Sequence, residues 1–346
     1  MSGRPGRVRM ARLTDLAALG ELSRLAQGEH AEARSLGLPV AGRPIGVFNL
    51  FRLPLGAFSP HDLLYVYEAD GRVAGLLRVD RDSHRDEWTI VELDAIGATD
   101  AGDIRFRLLQ SLIRDGAKRG AVRFHVACLD RAGNVELFMQ AGFARYGEEM
   151  ILVRPPSSAL PQPLEEAEAA GLGIRPTTPL DALALGRLYA LATPAPVQRL
   201  EAYRLTDWER QGTGWRVPRS SLAPILRFAD VESFVQEAPE GGPDGSRLAA
   251  FLQVGVAKED QPHYLKVIAR PETDLSPLVR FGLGVIRARS VGDRHDRGVI
   301  APVRTYEAPI DRRLEEAGFG PVATMTLLMK ETLVRVAEPA LVPATR

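Results

Sequence analysis

Two distant parts of the chain share a sequence pattern, and this similarity constrains the fold more than any other feature. The stretch MQAGFARYGEEMILV at Met139–Val153 resembles EEAGFGPVATMTLLM at Glu315–Met329. Three further pairs of segments also match, and they begin at Val8 and Ile174, at Glu68 and Asp244, and at Trp88 and Pro262. The matched positions lie 166 to 176 residues apart, with the small drift that loop insertions produce, so the pattern predicts one folding unit present twice.

The length of the chain is consistent with two units. A chain of 346 residues exceeds the usual size of one domain, and its 45% hydrophobic residues can fill two cores. The segment between the copies is rich in Pro, Ser, Ala and Glu and has no core-forming pattern, so we expect an extended linker there. The predicted organisation is a first domain at 1–154, a linker at 155–173, a second domain at 174–335 and a tail at 336–346.

The composition argues against several classes of protein. Lys plus Arg and Asp plus Glu both number 44, so the net charge is zero and we expect no general attraction to nucleic acid. The single cysteine, Cys128, excludes an intramolecular disulfide and a zinc site built from several cysteines, and we predict no metal site. Because the sequence has no apolar run of about 18 residues or more, we expect no membrane contact. With a single cysteine, we expect the reducing cytoplasm as its compartment.

The hydrophobic periodicity predicts the same order of elements in both copies. A helix comes first, followed by a β-hairpin, a strand, a helix, a strand, a helix and a last strand. In the first copy we expect a hairpin turn at Asp70–Gly71, a strand at 89–96 and a long helix at 104–120. A helix between two neighbouring parallel strands implies a mixed sheet with helices on its faces, so the predicted fold is α/β (α+β) in two tandem domains.

This order of elements, together with AGF at the end of the last helix in each copy, resembles the GNAT-type N-acetyltransferase superfamily over nearly the whole chain. The resemblance implies acetyl-CoA as co-substrate, with its pyrophosphate on backbone amides of the turn before the central helix, where a helix N-terminus favours an anion. In the first copy this turn corresponds to DAGDIR at Asp100–Arg105, where the family pattern is Arg or Gln followed by x-x-Gly-x-Gly or Ala. The residues that we expect at the cofactor are Ala95, Gly97, Thr99, Gly102, Asp103, Ile104 and Arg105.

The second copy departs further from the family pattern. Its corresponding segment is DLSPLV at Asp274–Val279, in which Pro277 removes one amide donor from the turn. We predict that Ser276 is the N-cap and Pro277 the first residue of the helix. We also predict that this copy does not bind acyl-CoA in the usual way.

Acetylation of an amine needs a base that removes a proton. Members of the family often use a strand carboxylate, and Glu92 and Asp94 lie two residues apart on the predicted strand, so they project from the same face. We predict both as catalytic residues; the alternative is that they line a solvated face or pair with nearby arginines such as Arg78. The tyrosine that many members carry in the last helix is replaced by Phe138 here and by Leu314 in the second copy.

The function expected from these features is transfer of an acetyl group from acetyl-CoA to an amine, with activity in the first copy. The acceptor would be a small-molecule amine, a peptide N-terminus or a lysine side chain, and the second copy would shape the cleft or form a homodimer contact. The alternative is a non-catalytic binding or regulatory protein of the same fold, which the altered phosphate turn and the missing tyrosines favour. His125 is a second candidate base or else structural, and Cys128 is expected to be a buried apolar residue.

Overall fold

The structure is a computed structural model of the chain. It describes residues 6–25, 62–82, 85–97, 100–131, 133–156, 158–209, 221–222, 226, 228–238, 247–258, 261–290 and 297–332. The first half of the chain, up to Arg154, contains six strands and three helices among these residues. They are β1 (Arg7–Met10), α1 (Leu16–Leu25), β2 (Asp62–Ala69), β3 (Arg72–Asp82), β4 (Glu87–Ala95), α2 (Ala101–Lys118), β5 (Arg123–Leu129), α3 (Asn134–Gln140) and β6 (Ala144–Arg154).

The remainder of the chain begins with a short helix, α4 (Glu166–Gly171), and continues into the second half. The elements that follow are β7 (Ile174–Pro176), α5 (Ala182–Ala192), α6 (Ala195–Glu201), α7 (Leu205–Glu209), β8 (Phe228–Glu237), β9 (Leu248–Ala257), β10 (His263–Ala269), α8 (Ser276–Arg289), β11 (Val299–Arg304), α9 (Ala308–Glu316) and β12 (Gly320–Glu331). Among the described residues, the order of helices and strands in this half repeats the order in the first half. The helices α6 and α7 correspond to a part of the first half, within 26–61, that lies outside the described residues. The predicted mixed α/β architecture is therefore confirmed.

All twelve described strands join in one sheet, with the order β1-β2-β3-β4-β5-β12-β6-β11-β10-β9-β8-β7. The pairs β4–β5 and β10–β11 are parallel, whereas the other neighbouring strands are antiparallel. A parallel pair with a crossover helix occurs once in each half, α2 joining β4 to β5 and α8 joining β10 to β11, as the predicted order of elements requires.

The last strand of each half lies beside the other half. Strand β12 pairs with β5 of the first half, for example Met325 with Leu129, and β6 pairs with β11 of the second half, for example Glu149 with Arg304. Strands β6 and β12 pair with each other at the centre. The two halves thus exchange their last strands and share one continuous sheet, an arrangement that the repeat in the sequence does not specify.

Helices cover both faces of the sheet. In the first half, α2 and α3 pack on one face, where strand residues such as Leu77 and Phe124 are buried, and α1 packs on the other face over Leu76. Adjacent residues of β3 therefore contribute to different cores, as the alternation of side chains along a strand requires. In the second half α8 and α9 occupy the first face, and α5 and α7 occupy the second face.

The segment predicted as an extended linker is folded against the second half. It contains α4, and the side chain of Arg287 on α8 donates a hydrogen bond of 2.6 Å to the carbonyl of Leu160. Gly284 of α8 has no Cβ, which would lie only 2.9 Å from Pro163 Cα. The expectation of an extended linker was wrong because its apolar residues, such as Leu160, find a core beside α8.

Candidate functional site

The two parallel strands of the first half separate to form a cleft, which we call the first cleft. Strands β4 and β5 are described over their full length. They pair through three residue pairs only, the last of which is Thr89 with His125. Strand β4 then continues to Ala95 and β5 to Leu129. The helices that follow these strands, α2 and α3, begin at the open end of the first cleft, where Arg105 Nη1 donates to Asn134 Oδ1 at 3.4 Å.

The N-terminus of α2 lies earlier in the sequence than predicted. The helix begins at Ala101 rather than at residue 104, and the amide of Ile104 donates to the carbonyl of Asp100 at 2.9 Å. Consequently 102–105 lie in the first turn of the helix and not in a preceding turn. The predicted boundary was wrong because Asp100 is the N-cap residue but its side chain does not cap the helix, so the usual capping signal is missing. The amides of the first three helical residues have no partner within the helix, so the N-terminus offers donors to an anion.

The residues of this helical turn have different surroundings. A Cβ on Gly102 would meet no atom within 4 Å, so the backbone there is open. The carboxylate of Asp103 is directed along the helix to Arg107, with an Oδ2–Nε distance of 2.7 Å, and its side chain is 56% exposed. Ile104 is buried and packs against Gly75 of β3. Arg105 is the cationic side chain of this turn that reaches towards α3.

The end of β4 contains the other predicted cofactor residues. The Ala95 side chain is buried in the core beneath α2, which leaves its backbone for any contact with a ligand. Gly97 has a φ of 130°, a conformation that side-chain-bearing residues rarely adopt, and a Cβ there would meet no atom within 4 Å. Thr99 lies outside the residues that the structure describes.

Glu92 and Asp94 share one face of the sheet because they are two residues apart, and a β-bulge places that face opposite α2. The pairing of β3 with β4 shifts between Val79–Ile90 and Arg78–Glu92, so that Val91 is an extra residue. Without the bulge, strict alternation would place Glu92 on the face that Ile90 shares with α2. The sequence carries no signal for this bulge, since Val91 is an ordinary strand residue.

Both carboxylates are shielded from solvent. Glu92 Oε2 lies 3.2 Å from Nε of Arg78, and the side chains are 6% and 26% exposed. Asp94 is 0% exposed and lies opposite Leu76 in the pairing of β3 with β4. The ion pair with Arg78 is one of the two arrangements that the sequence left open for Glu92, and it brings a guanidinium to the same face as two acids.

The corresponding cleft of the second half, between β10 and β11, is closed by side chains. The two strands pair only at His263–Val299 and Tyr264–Ile300 within these described strands. Beyond these pairs, Nζ of Lys266 on β10 donates to the carbonyl of Pro302 on β11 at 3.3 Å and to Oε2 of Glu307 at 3.0 Å. Lys266 is 2% exposed. Its ammonium thus ties the separated strands together, a role for which the sequence gave no signal.

The N-terminus of α8 in the second half is also occupied. The carboxylate of Asp274 accepts a hydrogen bond of 3.1 Å from the amide of Ser276, and Pro277 has no amide hydrogen. The residue before the helix is Leu275, so the prediction that Ser276 is the N-cap was wrong by one residue. The error arises because Leu275, the residue in front of Ser276, has helical backbone geometry and precedes the helix without a side-chain cap.

A cluster of buried charges joins the halves on the face that carries α1 and α5. Arg304 of β11 contacts Glu149 of β6 at 3.3 Å and Glu201 of α6 at 3.0 Å. Burial alone would lower the pKa of Arg304, but the carboxylates of Glu201 and Glu149 raise it well above its ordinary value. Glu201 also accepts a hydrogen bond of 2.5 Å from Tyr189. Sequence reasoning missed this cluster because its members are far apart in sequence, and Glu149 reaches Arg304 only through the exchanged strands.

The remaining candidate residues lie in packed surroundings. His125 is buried, with its Nε2 3.4 Å from Oε2 of Glu87. Cys128 is buried in the core beneath α2, as predicted. Phe138 and Leu314, at the positions of the family's tyrosine, are both buried in cores. Among the described residues, no group of three or more His, Cys, Asp or Glu side chains is placed to hold a metal ion.

Solved structures share this architecture along almost the whole chain. The tandem GNAT protein from the clavulanic acid biosynthesis pathway, solved without AcCoA, matches with a TM-score of 0.55 and 15% identity, over 94% of this chain and 98% of that chain. A GCN5-related N-acetyltransferase from Sphaerobacter thermophilus matches with a TM-score of 0.56 and 17% identity, over 94% of this chain and 95% of that chain. The chain has a tandem GNAT fold.

A third match to the tandem GNAT fold comes from a larger protein. It is the GCN5-related glucosamine N-acetyltransferase region of a fungal multi-domain GH3 β-N-acetylglucosaminidase, with a TM-score of 0.57 and 11% identity, over 95% of this chain and 38% of that chain. No protein-family model and no curated protein matches the sequence. None of the helices in the described part of this chain has the length and apolar character needed to cross a membrane. The similarity establishes the fold, and the chemistry has to be argued from the residues of the first cleft.

Proposed function

We propose that the protein transfers an acetyl group from acetyl-CoA to an amine in the first cleft. The observation that carries this proposal is the separation of β4 from β5 beside a helix N-terminus with an open backbone at Gly102. The acceptor is a small-molecule amine, a peptide N-terminus or a lysine side chain. Among the described residues of the second half, Asp274 already binds an amide at the start of α8 and Lys266 bridges β10 and β11, so we place the activity in the first half.

The residues at the open end of the first cleft fit a pyrophosphate group. The first amides of α2 and the helix dipole favour an anion, and Gly102 lets a phosphate approach the backbone. Arg105 supplies a cation beside this turn. Asp103 does not oppose the anion, since Arg107 balances its charge and its side chain is turned towards solvent.

The acids on β4 fit the proton transfer that amine acetylation requires. Acetyl-CoA supplies an activated acetyl thioester. Asp94 or Glu92 would accept the proton that the amine releases, and Arg78 offsets the negative charge of Glu92. Phe138 cannot donate a proton to the departing thiolate, so in this proposal the thiolate leaves without a side-chain acid at that position.

Calorimetric titration of acetyl-CoA into the full-length chain tests the cofactor site. We expect binding, and we expect Gly102→Asp to weaken it at least about tenfold, because a carboxylate then lies where the phosphate would bind. Gly171→Asp is the matched control, since a Cβ at Gly171 also meets no atom within 4 Å and α4 is remote from the first cleft. Absence of acetyl-CoA binding to the wild-type chain would rule out the proposal.

The catalytic role of the acids is tested separately by acetyl transfer to a panel of amines. Removing a general base typically lowers the rate by about 10² to 10⁴, so we expect a loss of this size in Asp94→Asn or Glu92→Gln. The variant with the larger loss identifies the base. Equal rates in wild type and both variants would show that neither acid takes the proton.

A second function is favoured by two features of the first cleft. The Glu92 carboxylate is already paired with Arg78, and Phe138 replaces the family's tyrosine. Both are expected of a protein that binds acetyl-CoA or another metabolite without turnover. Binding of acetyl-CoA that is weakened by Gly102→Asp, without transfer to any amine of the panel, would identify this binding protein.

A further inference from the structure

Arg78 occupies a defined place beside the proposed catalytic acids. It lies on β3 between Leu64 of β2 and Glu92 of β4, which are its partners in the two neighbouring strands. The next row of the same face consists of Val66, Leu76 and Asp94. Helix α1 packs over Val66 and Leu76, whereas the Arg78 side chain remains 26% exposed.

The guanidinium of Arg78 has more hydrogen-bonding capacity than its neighbours use. A guanidinium carries five N–H donors in a planar fork. Its Nε is buried without an aligned hydrogen bond, although Oε2 of Glu92 lies 3.2 Å away. Within the part of the chain that the structure describes, Glu92 is the only charged partner of Arg78, while Asp80 on the same face has interactions of its own. The ion pair with Glu92 therefore occupies only the Nε edge of the Arg78 guanidinium.

The charges on this face are complementary to a ligand with both an ammonium and an acid group. Cβ atoms of cross-strand partners on one face lie about 5 Å apart, and diagonal neighbours lie about 7 to 8 Å apart. The Arg78 guanidinium and the carboxylates of Glu92 and Asp94 are therefore close enough together for one small molecule to span them. Arginine binds carboxylates through two parallel N–H donors, a geometry that few other side chains offer.

We propose that Arg78 binds a carboxylate of the acceptor, so that the substrate class is amines that carry an acid group, such as amino acids. This inference rests on the proposed function, because it places the acceptor amine at Glu92 and Asp94. Arg78 is then a specificity-determining residue. It orients the acceptor so that the amine, and not the acid group, faces the two carboxylates.

The experiment compares each acid with the matching amide, which keeps the amine and removes the negative charge. Glycine, the other α-amino acids, β-alanine and γ-aminobutyrate are titrated calorimetrically into the full-length chain, and their acetylation is measured in parallel. We expect at least one acid to bind about tenfold to a hundredfold more tightly than its amide, as for one charge-assisted contact. Arg78→Gln should abolish this preference. Arg72→Gln, on an exposed arginine of the same strand, should retain it.

Each outcome decides the proposal. It is overturned if no acid binds, if acid and amide bind equally in the wild-type chain, or if Arg78→Gln keeps the preference. Should Arg78→Gln fail to fold, Arg78→Lys retains the charge without the fork and is expected to show a reduced preference. Failure of the proposed function gives a different result. Acid-selective binding without acetyl transfer supports the role of Arg78 and contradicts catalysis. Acetyl transfer to acids and amides at equal rates supports catalysis and contradicts the role of Arg78.

Discussion

Single residues at corresponding positions of the two halves make the same contacts. Arg9 on β1 binds Asp15 at 2.6 Å and Glu68 at 2.5 Å, and Arg175 on β7 binds Asp181 at 2.8 Å in the same manner. In both halves the aspartate also accepts a backbone amide at the start of a helical turn. The pair thus anchors the first strand of each half to the first helix.

We expect Asp15→Asn to lower the free energy of unfolding by about 1.5 to 3 kcal/mol at neutral pH, because Arg9 loses one of its two carboxylate partners and keeps Glu68. The hydrogen bond from Arg9 lowers the pKa of Asp15 in the folded state. The stabilisation is therefore present above about pH 4, the unfolded-state pKa, and is lost as the pH falls through the folded-state pKa. Urea unfolding at several pH values measures this, with the exposed Glu165→Gln as control. A deficit in Asp15→Asn that persists undiminished at the lowest pH would contradict it.

Lys266 provides a second test at the level of residues. Lys266→Met leaves the buried Glu307 carboxylate without its cation and should cost about 3 to 5 kcal/mol of stability. The double variant Lys266→Met, Glu307→Gln removes the uncompensated charge and should recover part of this loss. Denaturant unfolding of both variants provides the measurement. A cost below about 1 kcal/mol for the single variant would show that the ammonium does not hold the second cleft closed.

Two helices with the same position in their halves differ at their N-termini. Helix α2 begins with open backbone at Gly102, whereas α8 begins with Pro277 and with an amide already bound by Asp274. Free amides at a helix N-terminus stabilise a bound anion, and α8 has fewer free amides there than α2. The two elements are therefore equivalent in position and different in binding capacity.

At the scale of elements we expect one acetyl-CoA to bind per chain. Calorimetry gives this stoichiometry directly, and the Gly102→Asp variant should remove the single site. The combined variant Asp274→Ala, Pro277→Ala restores donors at α8 but leaves Lys266 in the second cleft, so it should not add a second site. A stoichiometry of two in the wild-type chain would contradict the assignment of binding to the first half.

The whole molecule depends on the exchange of strands between its halves. Strand β12 lies between β5 and β6, and β6 lies between β12 and β11, so neither half has a complete sheet alone. The buried cluster around Arg304 adds a contact between the halves, because Arg304 of β11 binds Glu149 of β6 as well as Glu201 of α6. Separation of the halves would expose unpaired strand edges, which promote aggregation.

We therefore expect the two fragments to remain together after the chain is cut. A protease site inserted near Ser158, before the linker packs on α8, allows cleavage without loss of any strand. Size-exclusion chromatography should show one particle before and after cleavage, and denaturant should be needed to separate the fragments. The uncut chain with the same insertion is the control. Two independently eluting, folded fragments would contradict the exchange.

Much of the architecture was accessible from local patterns. Apolar residues at helical spacing, such as Phe106, Leu109 and Ile113, predicted α2, and alternation together with Asp70–Gly71 predicted the β2–β3 hairpin. The start of α2 was misplaced by three residues, since Asp100 precedes the helix without a side-chain cap. For the candidate site, the spacing of Glu92 and Asp94 predicted that both side chains lie on one face of the strand.

The sequence by itself determined the repeated order of elements, the buried faces and the altered phosphate turns, because these depend on residues close together in the chain. Only the tertiary structure decided the strand exchange, the bulge at Val91, the pairing of Arg78 with Glu92 and the closure of the second cleft by Lys266. Each of these depends on contacts between different strands, which local patterns along the chain do not specify. A strand of either half satisfies the same hydrogen-bonding pattern, so local patterns do not select its neighbour.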